Sequence, residues 1–423
     1  MYPTPVHAAA DETIKVALIG CGGRGAGAAA QALSTAGPVK LWAVADAFAD
    51  RIETGLNSLG RVASVKDRIE VPPQRQFIGL DAYRQAIDSG IDLVILTAPP
   101  AFRPTHFDYA VRGGKHVFME KPVATDAPGV RRLLATNKLA AEKGLKVGVG
   151  LQRHHDPIYQ DLVKRLQDGA VGKLSFYRCY WNASAPAKIP QPRGKMTELE
   201  YQVRNWYFFD WLSGDHIVEQ HIHNIDVCNW IQGAYPVSAQ GQGGRQVRIG
   251  KEYGNIYDHH FVEFTYADGA RMFSQCRQIP GCWNQVDEFA HGTRGWADVG
   301  GGVLYPEGSE EIRLRAASRK RISGNLRNIG APQNPYQLEH DALFAAIRGN
   351  KPHNELEVGA LSTLTAILGR MATYSGRVVS WDEAFQSELA LTTDAEDWQA
   401  AAPIQPRSDG SYAIATPGVT RAV

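Results

Sequence analysis

Residues 14–33, IKVALIGCGGRGAGAAAQAL, decide the fold. IKVALI is a short apolar run rich in β-branched residues and reads as a buried strand. It runs straight into Gly20, Gly22 and Gly25, a G-x-G-x-x-G, and the alanine-rich segment that follows has high helix propensity. Strand, glycine turn and helix in that order let the chain turn sharply and bring bare backbone up to a diphosphate, with unpaired N–H groups of the helix start facing the phosphates. A second apolar run, VKLWAVAD (39–46), ends in Asp46, where this fingerprint places an acid for the ribose hydroxyls. A carboxylate there repels a 2′-phosphate, which favours NAD over NADP. Arg51 close by keeps NADP as the lesser option.

Outward from this unit the pattern repeats: YRQAI (83–87), DLVILTAPP (92–100), a helix through HFDYAVRGG, KHVFMEKP (115–122), a helix over 127–143 and LKVGVGLQ (145–152). Alternating strands and helices imply a doubly wound parallel sheet, whose ligands bind beyond the carboxyl ends of the strands. Ala98, Pro99, Pro100, Glu120 and Lys121 then share one mouth. The second half changes character. LSFYRCYWN (174–182), HFVEFTYADGARMFSQCRQ (260–278) and HGTRGWADVGGGVLY alternate and are punctuated by glycines, as hairpin strands are. Residues 335–375 read as helices returning to the first domain, and the chain after about 385 reads as irregular.

With 423 residues the chain exceeds one compact core, so two domains are expected, 14–150 and 151–385, with an irregular tail over 386–423. A formal charge of +1 gives no electrostatic reason to expect nucleic acid or an anionic membrane, and no run of about 18 apolar residues suggests a membrane span. Small molecules are the expected ligands. The five cysteines are scattered without a CxxC and read as reduced thiols. MYPTPVHAAADE, within residues 1–13, looks like the remnant of a cut export signal, but a charged n-region and an apolar h-region are missing. An exported protein and a cytoplasmic one both stay open.

At EKP, together with VALIGCGGRG, the VAD ending in Asp46, LTAPPAFRPTH with its His106, GVGLQRHHDP and HNIDVCNWI, the chain resembles the glucose-fructose oxidoreductase, inositol dehydrogenase and rhizopine catabolism (Gfo/Idh/MocA) family over nearly its full length. The resemblance implies a Rossmann domain followed by an α/β domain on a large, mostly antiparallel open sheet. It also implies a nicotinamide near Lys121, sugars, polyols or their derivatives as substrates, and a homo-oligomer formed through the second sheet. The family's catalytic aspartate and histidine stand four residues apart. Aligning its H-x-x-D on His223 and Asp226 puts Glu219 at the aspartate position. Glutamate reaches one methylene further, so the hydroxyl it addresses need not be the family's usual one.

SGDHIVEQHIHNID (213–226) admits an acid/base pair, a metal cage or a charged helix face. A helix starting near Glu219 would set Glu219 and His223 on one face. Ile222, Ile225, Trp230 and Ile231 argue that this helix is covered. Acid/base chemistry is the favoured reading, with His223 as the base, Lys121 holding the reacting oxygen and Glu219 orienting a neighbouring hydroxyl. The metal alternative uses Glu219, His223 or His216. Arg153, His154 and His155 follow the last Rossmann strand, where they could contact substrate or fasten the domains together. Arg204, Trp206 and Tyr207, in YQVRNWYFFDW, could line a saccharide cleft or belong to core or interface.

Three functions compete at this level. The first is an NAD-dependent oxidoreductase of a secondary hydroxyl or ketone in a sugar, polyol or glycoside. The second is a glycoside-cleaving enzyme that uses tightly bound NAD in a cycle of oxidation, elimination, water addition and reduction. The third, a nucleotide-binding sensor without turnover, is disfavoured by Lys121 and His223.

Overall fold

The computed structural model describes residues 12–423 apart from 187, 315–323, 325 and 394. The stretch read as a leader remnant lies outside the described residues except for its last two positions.

Six parallel strands form the first sheet: β1 (Ile14–Ile19), β2 (Val39–Asp46), β3 (Gln76–Ile78), β4 (Leu93–Leu96), β5 (His116–Met119) and β6 (Val147–Val149), in the order β3-β2-β1-β4-β5-β6. The period of two along each strand divides its side chains between two layers. Ile14, Val16 and Leu18 of β1, with Leu93 and Ile95 of β4, pack under the helices Gly23–Leu33 and Pro335–Arg348. Ala17, Ile19, Val94 and Leu96 face the opposite helical layer, with Tyr83, Phe107, Val130 and Leu133. Burial on both faces is why these strands read as continuous apolar runs.

The second sheet has nine strands. They are β7 (Leu174–Ala183), β8 (Ser238–Gly244), β9 (His259–Thr265), β10 (Arg271–Gln278), β11 (Gln285–Gly292), β12 (Gly295–Asp298), β13 (Val303–Pro306), β14 (Ile312–Arg313) and β15 (Val379–Ser380). Their order is β14-β13-β12-β11-β7-β10-β9-β8-β15, and every pair is antiparallel except β10 with β7. Helices Ile222–Gln232 and Leu356–Ser375 cover one face. Leu356–Ser375 also packs on Ala127–Glu142 of the nucleotide domain, so one apolar core runs unbroken from Val117 and Val149 through Leu364 to Phe264 and Tyr177. After the helix Trp381–Gln386 no helix or strand occurs among the described residues. That tail is nonetheless packed: Ala402 and Tyr412 are buried, and Trp398 stacks on Phe48 with ring centroids 5.4 Å apart. No helix among the described residues is long and apolar enough to cross a membrane.

Candidate active site

The glycine turn is built for close approach. Gly20 sits at φ +94°, and a Cβ there would lie 2.5 Å from the Ala98 nitrogen. A Cβ on Gly25 would lie 1.9 Å from the Gly20 carbonyl oxygen, so only glycine lets the helix pack on the turn. Gly22, by contrast, meets nothing within 4 Å and leaves its backbone bare to the cavity it lines. That cavity, about 410 Å³, is walled on the nucleotide-domain side by Gly20, Gly22, Asp46, Ala98, Pro99 and His106. Asp46 closes β2 and accepts bonds from the Cys21 N–H at 2.7 Å and the Phe48 N–H at 3.0 Å. A carboxylate has about four acceptor positions, so capacity remains for ribose hydroxyls. Burial, only partly offset by these N–H bonds, raises its pKa. A glycine cradle, an open backbone segment and a strand-end carboxylate on one cavity fit a dinucleotide.

His106 lies between Tyr83 and Phe102, with centroids at 4.3 Å and 6.0 Å, and burial together with Arg103 pushes its pKa down to about 3. Four residues assigned to the cofactor from sequence, Gly25, Pro100, Glu120 and Lys121, are not walls of this cavity. Pro100 is buried at the start of a single 3-10 turn, Gly25 faces its own turn, and Glu120 turns away to pair with Arg24 from inside the glycine fingerprint.

Lys121 leaves the end of β5 and reaches the second domain. Its Nζ donates to the Glu219 carbonyl and lies 3.5 Å from Glu219 Oε1, with both side chains mostly buried. His223 is 6% exposed, its Nδ1 has no hydrogen-bond partner, and its ring lies nearly parallel to Trp181 at 6.0 Å between centroids. Burial first, then the charges of Lys121, Arg153 and Arg24, hold His223 well below the usual imidazole range. The ring is therefore neutral and able to accept a proton. Lysine, glutamate and imidazole thus come together from the two domains.

They do so on a backbone unlike the continuous helix expected. His216–Glu219 is one turn that ends at Gln220, and a second helix begins at Ile222. Glu219 and His223 therefore stand on either side of a break. His221 turns into the core, where its Nε2 bonds Ser274 Oγ at 2.8 Å. Asp226 accepts from Ser362 Oγ at 2.7 Å and from the His154 ring at 2.8 Å. The metal grouping of Glu219, His223 and His216 does not form among the described residues. His216 instead joins Asp215 and His260.

The residues after β6 fasten the domains. Arg153 pairs with buried Glu288, His154 with Asp226, and His155 Nε2 lies 2.7 Å from Glu355 Oε1. Burial alone would lower the His154 pKa, but the Asp226 carboxylate more than reverses this and raises it. Arg204, Trp206 and Tyr207 line the same cavity as Gly20 and Asp46. Arg204 Nη1 meets both Asp50 oxygens at 2.8 and 3.0 Å, and its guanidinium lies 3.7 Å from the Phe48 ring centroid. Tyr207 Oη donates to Gln220 Oε1 at 2.9 Å. Trp181 and Arg24 were missed from sequence. A signal existed for each: Arg24 lies inside the glycine fingerprint, and Trp181 shares the strand parity of buried Tyr177 and Cys179.

Comparison with known proteins agrees with this geometry. Residues 14–151 match the model of an oxidoreductase family with an NAD-binding Rossmann fold (GFO_IDH_MocA), and residues 159–298 match the GFO/IDH/MocA C-terminal domain. Inositol 2-dehydrogenase of Rhizobium meliloti (strain 1021) is 27% identical over 286 residues, 67% of this chain and 74% of that protein. A scyllo-inositol 2-dehydrogenase (NADP(+)) of Bacillus subtilis (strain 168) is 28% identical over 139 residues, 32% of this chain and 35% of its own length. The crystal structure of aldose-aldose oxidoreductase from Caulobacter crescentus, complexed with glycerol, has a TM-score of 0.65 at 17% identity and covers 87% of this chain and 100% of that one, a likeness in fold alone. With both halves matched in order, the chain belongs to the Gfo/Idh/MocA family of NAD-binding oxidoreductases.

Proposed function

We propose that this protein is an NAD-dependent oxidoreductase acting on a secondary hydroxyl, or the matching ketone, of a sugar, polyol or glycoside. The observation that carries this reading is the contact of Lys121 with Glu219 beside a neutral, unpartnered His223. NAD, when bound, supplies the hydride acceptor. The protein's own groups handle the oxygen and its proton. Lys121 donates a hydrogen bond to the carbinol oxygen and stabilises the negative charge that develops as the C–H bond breaks. His223 takes the hydroxyl proton, and its depressed pKa keeps it in the accepting form. Glu219 offsets the lysine charge and accepts from an adjacent hydroxyl. The Trp181 ring offers an apolar surface to the C–H face of a pyranose or cyclitol ring. Asp46 supports NAD over NADP, because a 2′-phosphate would bring like charge against its carboxylate.

The test is incubation of the full-length protein with NAD and a panel of cyclitols, free sugars and aryl glycosides. NADH formed in step with oxidation of one hydroxyl supports the reading. Aglycone release without net NADH would replace it with the redox-neutral cleavage cycle, and NAD binding with neither product would leave a sensor.

A further inference from the structure

We propose that Asp215, His216 and His260 form a buried binding site for one divalent transition-metal ion of the zinc type, taken up as the chain folds. The three donors come from separate places: Asp215 and His216 open the one-turn helix that carries Glu219, and His260 lies on β9. One ligand atom from each lies within 4.8 Å of the others. Asp215 Oδ2 is 3.3 Å from His260 Nε2, and Asp215 Oδ1 is 3.7 Å from His216 Nδ1. Bonds of about 2.0–2.2 Å in a tetrahedron hold donor atoms about 3.3–3.6 Å apart; the two distances fall on different oxygens of the one carboxylate, so a rotation of Asp215 and an approach of the two rings would complete the set.

The hydrogen bonds around the cluster leave the imidazole lone pairs unused. Thr373 Oγ1 donates to the Arg370 carbonyl at 3.0 Å, so toward His260 Nδ1, 2.9 Å away, it acts as acceptor. His260 therefore carries its proton on Nδ1 and turns Nε2 toward Asp215. An acceptor held against the far N–H is the usual support of a metal-bound imidazole, and here that acceptor is the threonine oxygen. His216 is 1% exposed, and neither ring nitrogen has a hydrogen-bond partner. An imidazolium at His260 paired with Asp215 would account for His260 but would leave the buried His216 ring unsatisfied, and an ion accounts for both. Tyr374 Oη donates to Asp215 Oδ2 at 2.6 Å and so fixes the orientation of that carboxylate. The nearby cations are already engaged: Arg248, which faces His216, is bonded to the Tyr257 carbonyl and Gln278, Arg370 to the Gly214 carbonyl at 3.2 Å and Arg245 to the Gly254 carbonyl at 2.7 Å.

The backbone adds a second, independent sign. Asp215 is one of three described non-glycine residues at positive φ, here +70°. Such a conformation persists only where the surroundings over-determine it, and it gathers at functional positions. Here it aims the carboxylate inward while the His216 and Tyr257 N–H groups hold its oxygens. An ion at this point would join the turn before Glu219 to β9 and to the helix Leu356–Ser375, fixing Glu219 against Lys121 without touching substrate. The inference does not depend on which hydroxyl the enzyme oxidises.

The test is metal analysis of the full-length protein, purified without chelators from zinc-supplied cells, with anomalous scattering at the zinc edge from its crystals. One zinc per chain is expected, with a peak between the three side chains. His216→Ala and His260→Ala should lose the metal, while His259→Ala, a half-exposed neighbour outside the cluster, keeps it. The wild-type crystal decides the matter even if the variants fold poorly: no anomalous peak there, or a water in its place, overturns the proposal.

Discussion

Lys121 and His223 carry the chemistry at the scale of single residues. Lys121→Ala should abolish turnover while NAD still binds, because the lysine's contacts are with Glu219 and not with the glycine cradle. Calorimetric titration with NAD beside an activity assay checks both halves. His223→Asn should lower kcat by about 10²–10⁴-fold, the usual weight of a positioned acid/base group. The same residue sets a pH signature. Its pKa is depressed in the fold, so the accepting form survives to lower pH than for a free imidazole. The acidic limb of kcat/KM should therefore lie below about 6.5. A limb at or above that value would assign the proton to another group. Both residues were legible in the sequence as candidates, and the structure brings Lys121 to Glu219 with its charge felt at His223. The partners of Arg153, His154 and His155 were not legible, because Glu288, Asp226 and Glu355 lie 135, 72 and 200 residues away.

Among elements, the strand–turn–helix at residues 14–33 and the segment that faces it across the cavity matter most. Gly25→Ala would drive a Cβ into the Gly20 carbonyl at 1.9 Å, so NAD affinity should collapse even where the rest of the fold survives. Arg204 ties the opposite wall to the nucleotide domain through Asp50 and Phe48. Asp50 is well exposed, so the ion pair contributes only about 0.2–1 kcal/mol, with a similar share from the cation–ring contact. Arg204→Ala should accordingly speed NAD release by a few-fold, ~3–10, as stopped-flow displacement would measure. An unchanged rate would mean the wall does not hold the nucleotide. The elements themselves were largely legible, since alternation of period two and glycine punctuation mark β7, β9 and β10. The break at Gln220 was not. The helix expected from near Glu219 begins only at Ile222, and the interruption goes with tertiary contacts, Tyr207 and Gln278 both bonding the Gln220 side chain.

For the whole molecule, buried imidazoles shape the response to acid. His106 is held down to about 3, and His223 and His340 lie well below the usual range, all chiefly through burial. Each depressed value means that the unfolded chain binds a proton the fold refuses. The stability they contribute is present above about pH 6.5 and is lost as pH falls toward the folded values. Glu339, raised by burial and by Glu120, binds a proton in the fold and offsets part of this, and His154 adds nothing further below its unfolded value. The depressed imidazoles, His291 at about 4 among them, outweigh it, so denaturant midpoints should fall between pH 7 and pH 5, before the unfolded carboxylates titrate. A midpoint that holds steady over that window would contradict the burial of these rings.

The central claim is that a lysine from the nucleotide domain and an imidazole from the second domain address one carbinol. A crystal structure of the full-length protein with NADH and the polyol or sugar it turns over tests this most directly. The account predicts the carbinol oxygen within hydrogen-bond reach of both Lys121 Nζ and a His223 ring nitrogen, with its carbon against the nicotinamide. A productive complex in which that oxygen meets neither side chain, or only one while the other faces away, would contradict it.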